Sequence, residues 1–304
     1  MIWQKLGRVW APDASVPWAK THAHLPTPFR LDDRRIRVYF ACLDENRFGR
    51  ISFVDVAADD PTKVLYVSKD VALDIGALGA FDDCGAVPSC AIAFRGRLLL
   101  YYVGFQRAFR VPYMLFSGLA TAGENASRFS RARVTPILDR TPEEPYSRGA
   151  PFVWTEGSQL RMWYWTCTEW TESRGLVHYN NVIRTATSQD GVDWKVDPGD
   201  CIAPTNDEYA VGRPWVIRSG AGYRMFYSVR SHSERYFIGV AESVDGVRWS
   251  RKDEESGIRR SESGWDSEMV CYPALIETNG RRFMFYNGNG HGATGFGCAE
   301  CIED

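Results

Sequence analysis

Long apolar runs are missing from this 304-residue chain. Nothing approaches the roughly 18 consecutive apolar residues of a membrane span. The opening MIWQKLGRVWAPD also lacks the apolar core and small-residue cleavage site of a secretory signal. These absences predict a soluble, cytoplasmic protein without a membrane partner. Charge of one sign is missing too: 36 Lys and Arg against 38 Asp and Glu leave a net charge of −2. No global field then draws nucleic acid or an anionic membrane, and neither is expected as a partner. Among eight cysteines there is a single CxxC, Cys298 with Cys301, and no second pair to complete a zinc site. In a reducing compartment these read as small buried residues at a strand end. No metal and no cofactor is expected.

What the chain has is repetition. Leu25 onward reads LPTPFRLDDRRIRVYFA, Gly85 onward GAVPSCAIAFRGRLLLYYVGF, and Gly149 onward GAPFVWTEGSQLRMWYW. Arg213 onward reads RPWVIRSGAGYRMFYSVR, and the stretch from Trp265 to Gly297 carries the fifth copy. Aligned on Pro28, Pro88, Pro151, Pro214 and Pro273, the intervals are 60, 63, 63 and 59 residues. A repeated unit of this kind cannot bury its apolar face alone and must stack on its neighbours. Short aromatic or β-branched runs separated by Gly, Asn and Asp turns are strand patterns. The expectation is an all-β fold: one five-bladed β-propeller domain over residues 1–304, with four-stranded antiparallel blades whose inner strands open near the five prolines. The Asp190-Gly191 and Asp245-Gly246 pairs predict hairpin turns, with Trp194 and Trp249 on outermost strands. The last repeat stops after its third strand, so the N-terminal strand around Trp3 is expected to supply the fourth and close the last blade.

The phrase S-x-D-G-x-x-W, Ser188 to Trp194 and again Ser243 to Trp249, together with five proline-opened units, resembles the five-bladed propellers of the glycoside hydrolase clans that include families 32, 43 and 130. More narrowly, FDDCGAVPS, DEYAVGRP, WDSEMVCYP and NGNGHGATGFG resemble a bacterial group of uncharacterised glycosidase-like proteins often associated with surface-polysaccharide genes. In the family 43 pattern an Asp just before the first blade's proline acts as base. Here that position is Thr27, so another acid takes the role or the reaction differs.

The segments entering the inner strands meet around a propeller's axis and are rich in charge. Acids recur five or six residues before the prolines, as Asp82, Asp83, Glu208 and Glu268. Glycoside hydrolysis needs a proton-donating carboxylic acid and a second carboxylate across the sugar ring. Asp83, Glu208 and Glu268 are the expected catalytic carboxylates, although such acids also serve as ion-pair partners that knit blades together. Asp82, Asp266, Arg148, Arg213 and the histidines His22 and His24 are expected to bind substrate. The arginines favour an anionic group on it. His22 and His24, two apart on a strand, share a face and suit a general base, a phosphate contact or a metal, with hydrogen-bonded neutral rings the plainer reading. In the last loop Asn287, Asn289 and His291 offer groups suited to sugar hydroxyls, and five glycines let backbone approach a ligand. Trp163, Trp165 and Trp170 form either a sugar-stacking wall or blade packing. The leading expectation is a glycosidase-like hydrolase acting on a small, anionic sugar conjugate, nucleotide-linked sugar or oligosaccharide. A non-catalytic sugar-binding propeller, or a phosphorylase or transferase, stands beside it.

Overall fold

The structure, a computed structural model, describes residues 1–123, 126–173 and 175–303. It is all-β: among the described residues only a 3-10 turn, Asp253–Glu255, and one helical turn, Asn289–Gly292, interrupt the strands. The strands form antiparallel meanders of about four, one per repeat. The first runs Thr21–Arg30, Arg35–Leu43, Gly49–Ala57, Val64–Val67. The second is Gly85–Phe94, Arg97–Arg107, Tyr113–Ala122, Ser130–Arg131, and the third Arg148–Glu156, Gln159–Ser173, Leu176–Ser188, Lys195–Val196. The fourth is Glu208–Ser219, Gly222–Ser231, Arg235–Ser243, Ser250–Arg251. The last orders Cys271–Thr278, Arg281–Asn287, Phe296–Glu303 and then Ile2–Trp10, which pairs Trp3 with Cys301 and Gly7 with Cys298.

Each recurrent proline lies in the first strand of its meander. A proline cannot donate to a sheet ladder, so it is tolerated at edges and bulges. Register breaks bracket Pro151, Pro214 and Pro273, and another begins at Pro88. The second strands carry the core: Tyr39, Tyr101, Trp163, Phe226 and Phe285 are fully buried. Each first strand lies beside the first strand of the next meander, and the last lies beside the first, so all of them neighbour one another in cyclic order.

The two S-x-D-G-x-x-W phrases fold alike. Ser188 Oγ accepts the Gly191 amide at 2.9 Å, Asp190 Oδ1 accepts the Val192 and Asp193 amides, and Trp194 Nε1 donates to the Gly191 carbonyl. Ser243, Asp245 and Trp249 repeat these bonds. Gly191 and Gly246 have φ of 80° and 74°, which is why glycine stands there. Both tryptophans immediately precede the short fourth strands instead of lying within them. The turn carbonyls are also taken by neighbouring meanders, through Tyr101 Oη to Gly191 and Trp163 Nε1 to Gly246.

Candidate functional site

Where the first strands converge there is a cavity of about 580 Å³, reached by residues of every first strand: His24, Val87, Ala150, Arg213 and Tyr272 among them. Ala150, Arg213 and Tyr272 each immediately precede a recurrent proline and have φ of 46°, 54° and 57°. Such left-handed backbone is costly for residues with side chains and re-aims them relative to a regular pleat. All three face the cavity.

Arg213 is the largest polar group on the floor, 1% exposed. Its guanidinium donates to the carbonyls of Ser89 and Pro26 and to Thr27 Oγ1, the last at 3.0 Å, while Nε finds no acceptor. No carboxylate pairs with it among the described residues, and burial pushes its pKa down to about 9. Arg230, on the wall, is held between the rings of Tyr179 and Tyr236, 4.5 Å from each centroid, again without a carboxylate among the described residues. Arg47 and Arg107 add two further guanidinium groups, and Glu45, exposed, is the one carboxylate among the described lining residues. Asn181 lines the cavity with its side-chain oxygen buried and unpartnered. Aromatic walls come from Tyr113, Trp165, Tyr179 and Tyr236.

Three histidines complete the lining. His22 and His24 stack at 4.6 Å, and His291 packs edge-on to Tyr236 at 4.9 Å. Burial, reinforced by His22, His291 and Arg47, holds His24 down to about 3. Burial with Arg230 and His22 holds His291 at about 4. Both rings are neutral at pH 7 and can accept or donate a hydrogen bond. The unfolded chain takes up protons near pH 6.5 that the folded one refuses, so their share of stability is complete above about pH 6.5 and declines toward the folded values. The melting temperature is therefore expected to fall between pH 7 and 5, and a His24→Gln, His291→Gln double variant should show a flatter profile. An unchanged slope in that variant contradicts the assignment. Among the described residues no group of three or more His, Cys, Asp and Glu is placed to hold a metal ion.

The geometry corrects the expected convergence of acids. Asp83, Glu208 and Glu268 do not line this cavity. Asp83 accepts the Gly79 amide in the loop before its strand. Glu208 is engaged by Arg251 through both oxygens, at 2.7 and 2.8 Å, and borders a separate, smaller cavity. Glu268 is exposed, its amide bonded to Asn289 Oδ1. Asp82, Arg148 and Asp266 are likewise drawn away into a recurring clip, in which a second-strand tyrosine donates to a carboxylate that a basic residue also holds. Tyr102 and Arg131 hold Asp82; Tyr164, Arg148 and Arg184 hold Glu144; Tyr286 and Lys5 hold Asp266. Tyr227 and Arg251 hold Asp253 in the same way. Burial first, then the adjacent carboxylate, raises all four phenols, so they remain donors. Removing one partner of a buried set costs about 3–5 kcal/mol. Asp266→Ala is accordingly expected to lower the melting temperature by several degrees in calorimetry without changing ligand affinity in the cavity.

Of the remaining expected contacts, His22, His24, Arg213 and His291 line the cavity, whereas Asn287 and Asn289 do not. Asn287 is fully buried, accepting the Leu25 amide and donating to Ala23 and Gly295 carbonyls, so it ties the last loop to the first meander. Asn289 braces the chain around Glu268 and Gly264. Trp165 reaches the cavity, Trp163 is core, and Trp170 packs on Tyr179. Arg230, Asn181, Tyr179, Tyr236 and Tyr272 are among the lining residues that the repeat alignment passed over, with Arg47, Arg107 and Tyr113. Arg230 had a signal: three residues beyond the second-strand aromatic that aligns with Tyr227, the other copies place Leu43, Phe105, Cys167 and Asn289.

Solved structures similar to this one define its class, the propeller fold of glycoside hydrolases. A glycosyl hydrolase from Bacteroides ovatus superposes with a TM-score of 0.73 at 14% identity, covering 98% of this chain and 93% of that one. A thermostable family-43 glycoside hydrolase superposes at 0.70 and 16% identity, covering 97% and 94%. At these identities the likeness is one of fold. In sequence, the chain is 36% identical over 300 residues to "Uncharacterized protein Rv1502" of Mycobacterium tuberculosis (strain ATCC 25618 / H37Rv), with 98% of this chain and 99% of that one matched, and it belongs to that protein's family. No family model matches it.

Proposed function

We propose that residues 1–304 form one five-bladed propeller, its last blade closed by the N-terminal strand, and that the protein is carbohydrate-active, binding an anionic sugar conjugate in the central cavity. The cyclic adjacency of the first strands supports the blade reading. The observation that carries the ligand reading is Arg230, held between two tyrosine rings and facing the cavity without a carboxylate among the described residues. A guanidinium so placed is preorganised for carboxylate or phosphate. The tyrosine and tryptophan walls supply faces for a sugar ring. The fold of the glycoside hydrolase neighbours agrees with a glycosidase-like role.

The chemistry differs from paired-carboxylate hydrolysis, which requires two acids flanking the bond. The lining holds one exposed carboxylate among its described residues, Glu45, while His24 and His291 are held neutral by burial and offer hydrogen-bonding nitrogens to a ligand. That favours binding, or group transfer to an acceptor such as phosphate, over the expected hydrolase. Calorimetric titration with hexuronic acids, hexose phosphates, nucleoside diphosphate sugars and their neutral parents tests the reading. The anionic members are expected to bind at least about tenfold tighter. Equal affinity for charged and neutral members contradicts it. Turnover that appears only with added phosphate identifies the transfer reaction.

A further inference from the structure

The hairpin formed by Gln159–Ser173 and Leu176–Ser188 is longer than its counterparts in the other meanders, and its ladder continues beyond a bulge at Cys167 and Glu169 to pair Trp170 with Tyr179 and Thr171 with His178. Successive strand residues face opposite sides. Tyr179 and Asn181 face the central cavity, while Asn180 faces a second cavity of about 310 Å³ on the other side. Asn181 touches both. The hairpin is thus a partition with a ligand-sized space on either side, and the second space falls at the lower end of the usual range for ligand pockets, about 300–1,000 Å³.

The two spaces differ in polarity. Four arginines line the central cavity, whereas among the described residues no Lys or Arg lines the second, which is bordered by Glu208. Its other groups suit hydroxyls: Thr168, Thr171 and Asn180 offer donors and acceptors. Tyr209 anchors an aromatic cluster there, with His178 at 4.8 Å and His232 at 4.9 Å. At the junction, Asn181 is 3% exposed and its Oδ1 has no hydrogen-bond partner. A buried acceptor left unmade is expensive, and a ligand hydroxyl passing the partition would satisfy it.

We infer that the second cavity is a subsite for an uncharged sugar unit, so that the ligand is a conjugate of at least two units, its anionic part beside Arg230 and its neutral part against Tyr209. This rests on the reading of the central cavity as an anion site. Glu208 is already paired with Arg251 and no Lys or Arg lines the outer space among the described residues, so an anion finds no free cation there and the conjugate takes one orientation.

The test compares hexuronic acids and hexose 1-phosphates of gluco, galacto and manno configuration with the same units joined to one neutral hexose, titrated calorimetrically into the full-length protein. At least one joined probe is expected to bind about tenfold tighter than its single unit, the gain of one stacked ring with its hydrogen bonds. Tyr209→Ala and His232→Ala should each erase most of that gain while leaving the single-unit Kd unchanged, with circular dichroism confirming that the variants are folded. Joined and single probes binding alike, or variants that keep the gain, overturn the subsite and leave the anion site standing. If no anionic probe binds, or if Arg230→Met leaves single-unit binding intact, the reading of the central cavity fails and the subsite fails with it.

Discussion

Deleting residues 1–10 is expected to lower the melting temperature by roughly 10 °C or more and to make the protein aggregate on heating. Ile2–Trp10 pairs along its length with Phe296–Glu303, so its loss bares the backbone of that strand. Trp3 is 6% exposed and packs edge-on to Phe226 at 5.9 Å. Losing a buried tryptophan side chain alone costs about 3–5 kcal/mol. Lys5 goes as well, and Asp266, 2% exposed, is left with Tyr286 and no cation in the clip. A bared edge strand is a template for association between molecules. Calorimetry with light scattering during the scan reads both effects. A truncated protein that melts with the full-length one and stays clear contradicts a closing role for the N-terminal strand.

Arg230→Met is expected to weaken binding of an anionic sugar by about 100-fold while leaving the fold intact. A hydrogen bond to a charged group contributes about 1.5–3 kcal/mol, so losing a bidentate pair accounts for that factor. Folding should tolerate the change because Arg230 holds no carboxylate among the described residues and touches Tyr179 and Tyr236 through its guanidinium plane. Methionine keeps much of the apolar stem between those rings. Lysine there should restore only part of the affinity, since an ammonium cannot make the planar fork. Titrations of both variants, with circular dichroism to confirm folding, decide the matter. Undiminished binding by the methionine variant rules out Arg230 as the anion contact.

Repetition made much of the architecture legible. Five prolines at near-constant spacing marked the first strands because proline is confined to bulges and edges, and the buried second strands announced themselves through tyrosine, tryptophan and phenylalanine. The last repeat, stopping after its third strand, pointed to the N-terminal strand around Trp3 as the partner of the last strand. The site was harder to read. An acid five residues before a proline looks the same whether it turns toward the axis or back toward a second-strand tyrosine, and Asp82 and Asp266 turned back. Glu208 was taken by Arg251, a residue 43 positions away whose reach no local pattern encodes. His22, His24, Arg213 and His291 could be placed because each lies on or beside the strand that enters the cavity. Arg230 sits at the end of its second strand and Asn181 within the lengthened third strand Leu176–Ser188, where the copies diverge and alignment on the prolines loses its register.

The residues ahead of the five prolines are Thr27, Val87, Ala150, Arg213 and Tyr272, which share no chemistry. Val87, Ala150, Arg213 and Tyr272 face the cavity, and Thr27 receives a hydrogen bond from Arg213. The chain therefore separates presentation from identity: the bulged backbone decides where these side chains point, and the genetic code is free to decide what they are. Divergence within such a family need not touch blade packing to acquire a new ligand. An aspartate at position 27 would stand opposite a guanidinium now 3.0 Å from its hydroxyl and would pair with it, so that one codon change resets the charge of the floor while Arg47, Arg107 and Arg230 stay as they are.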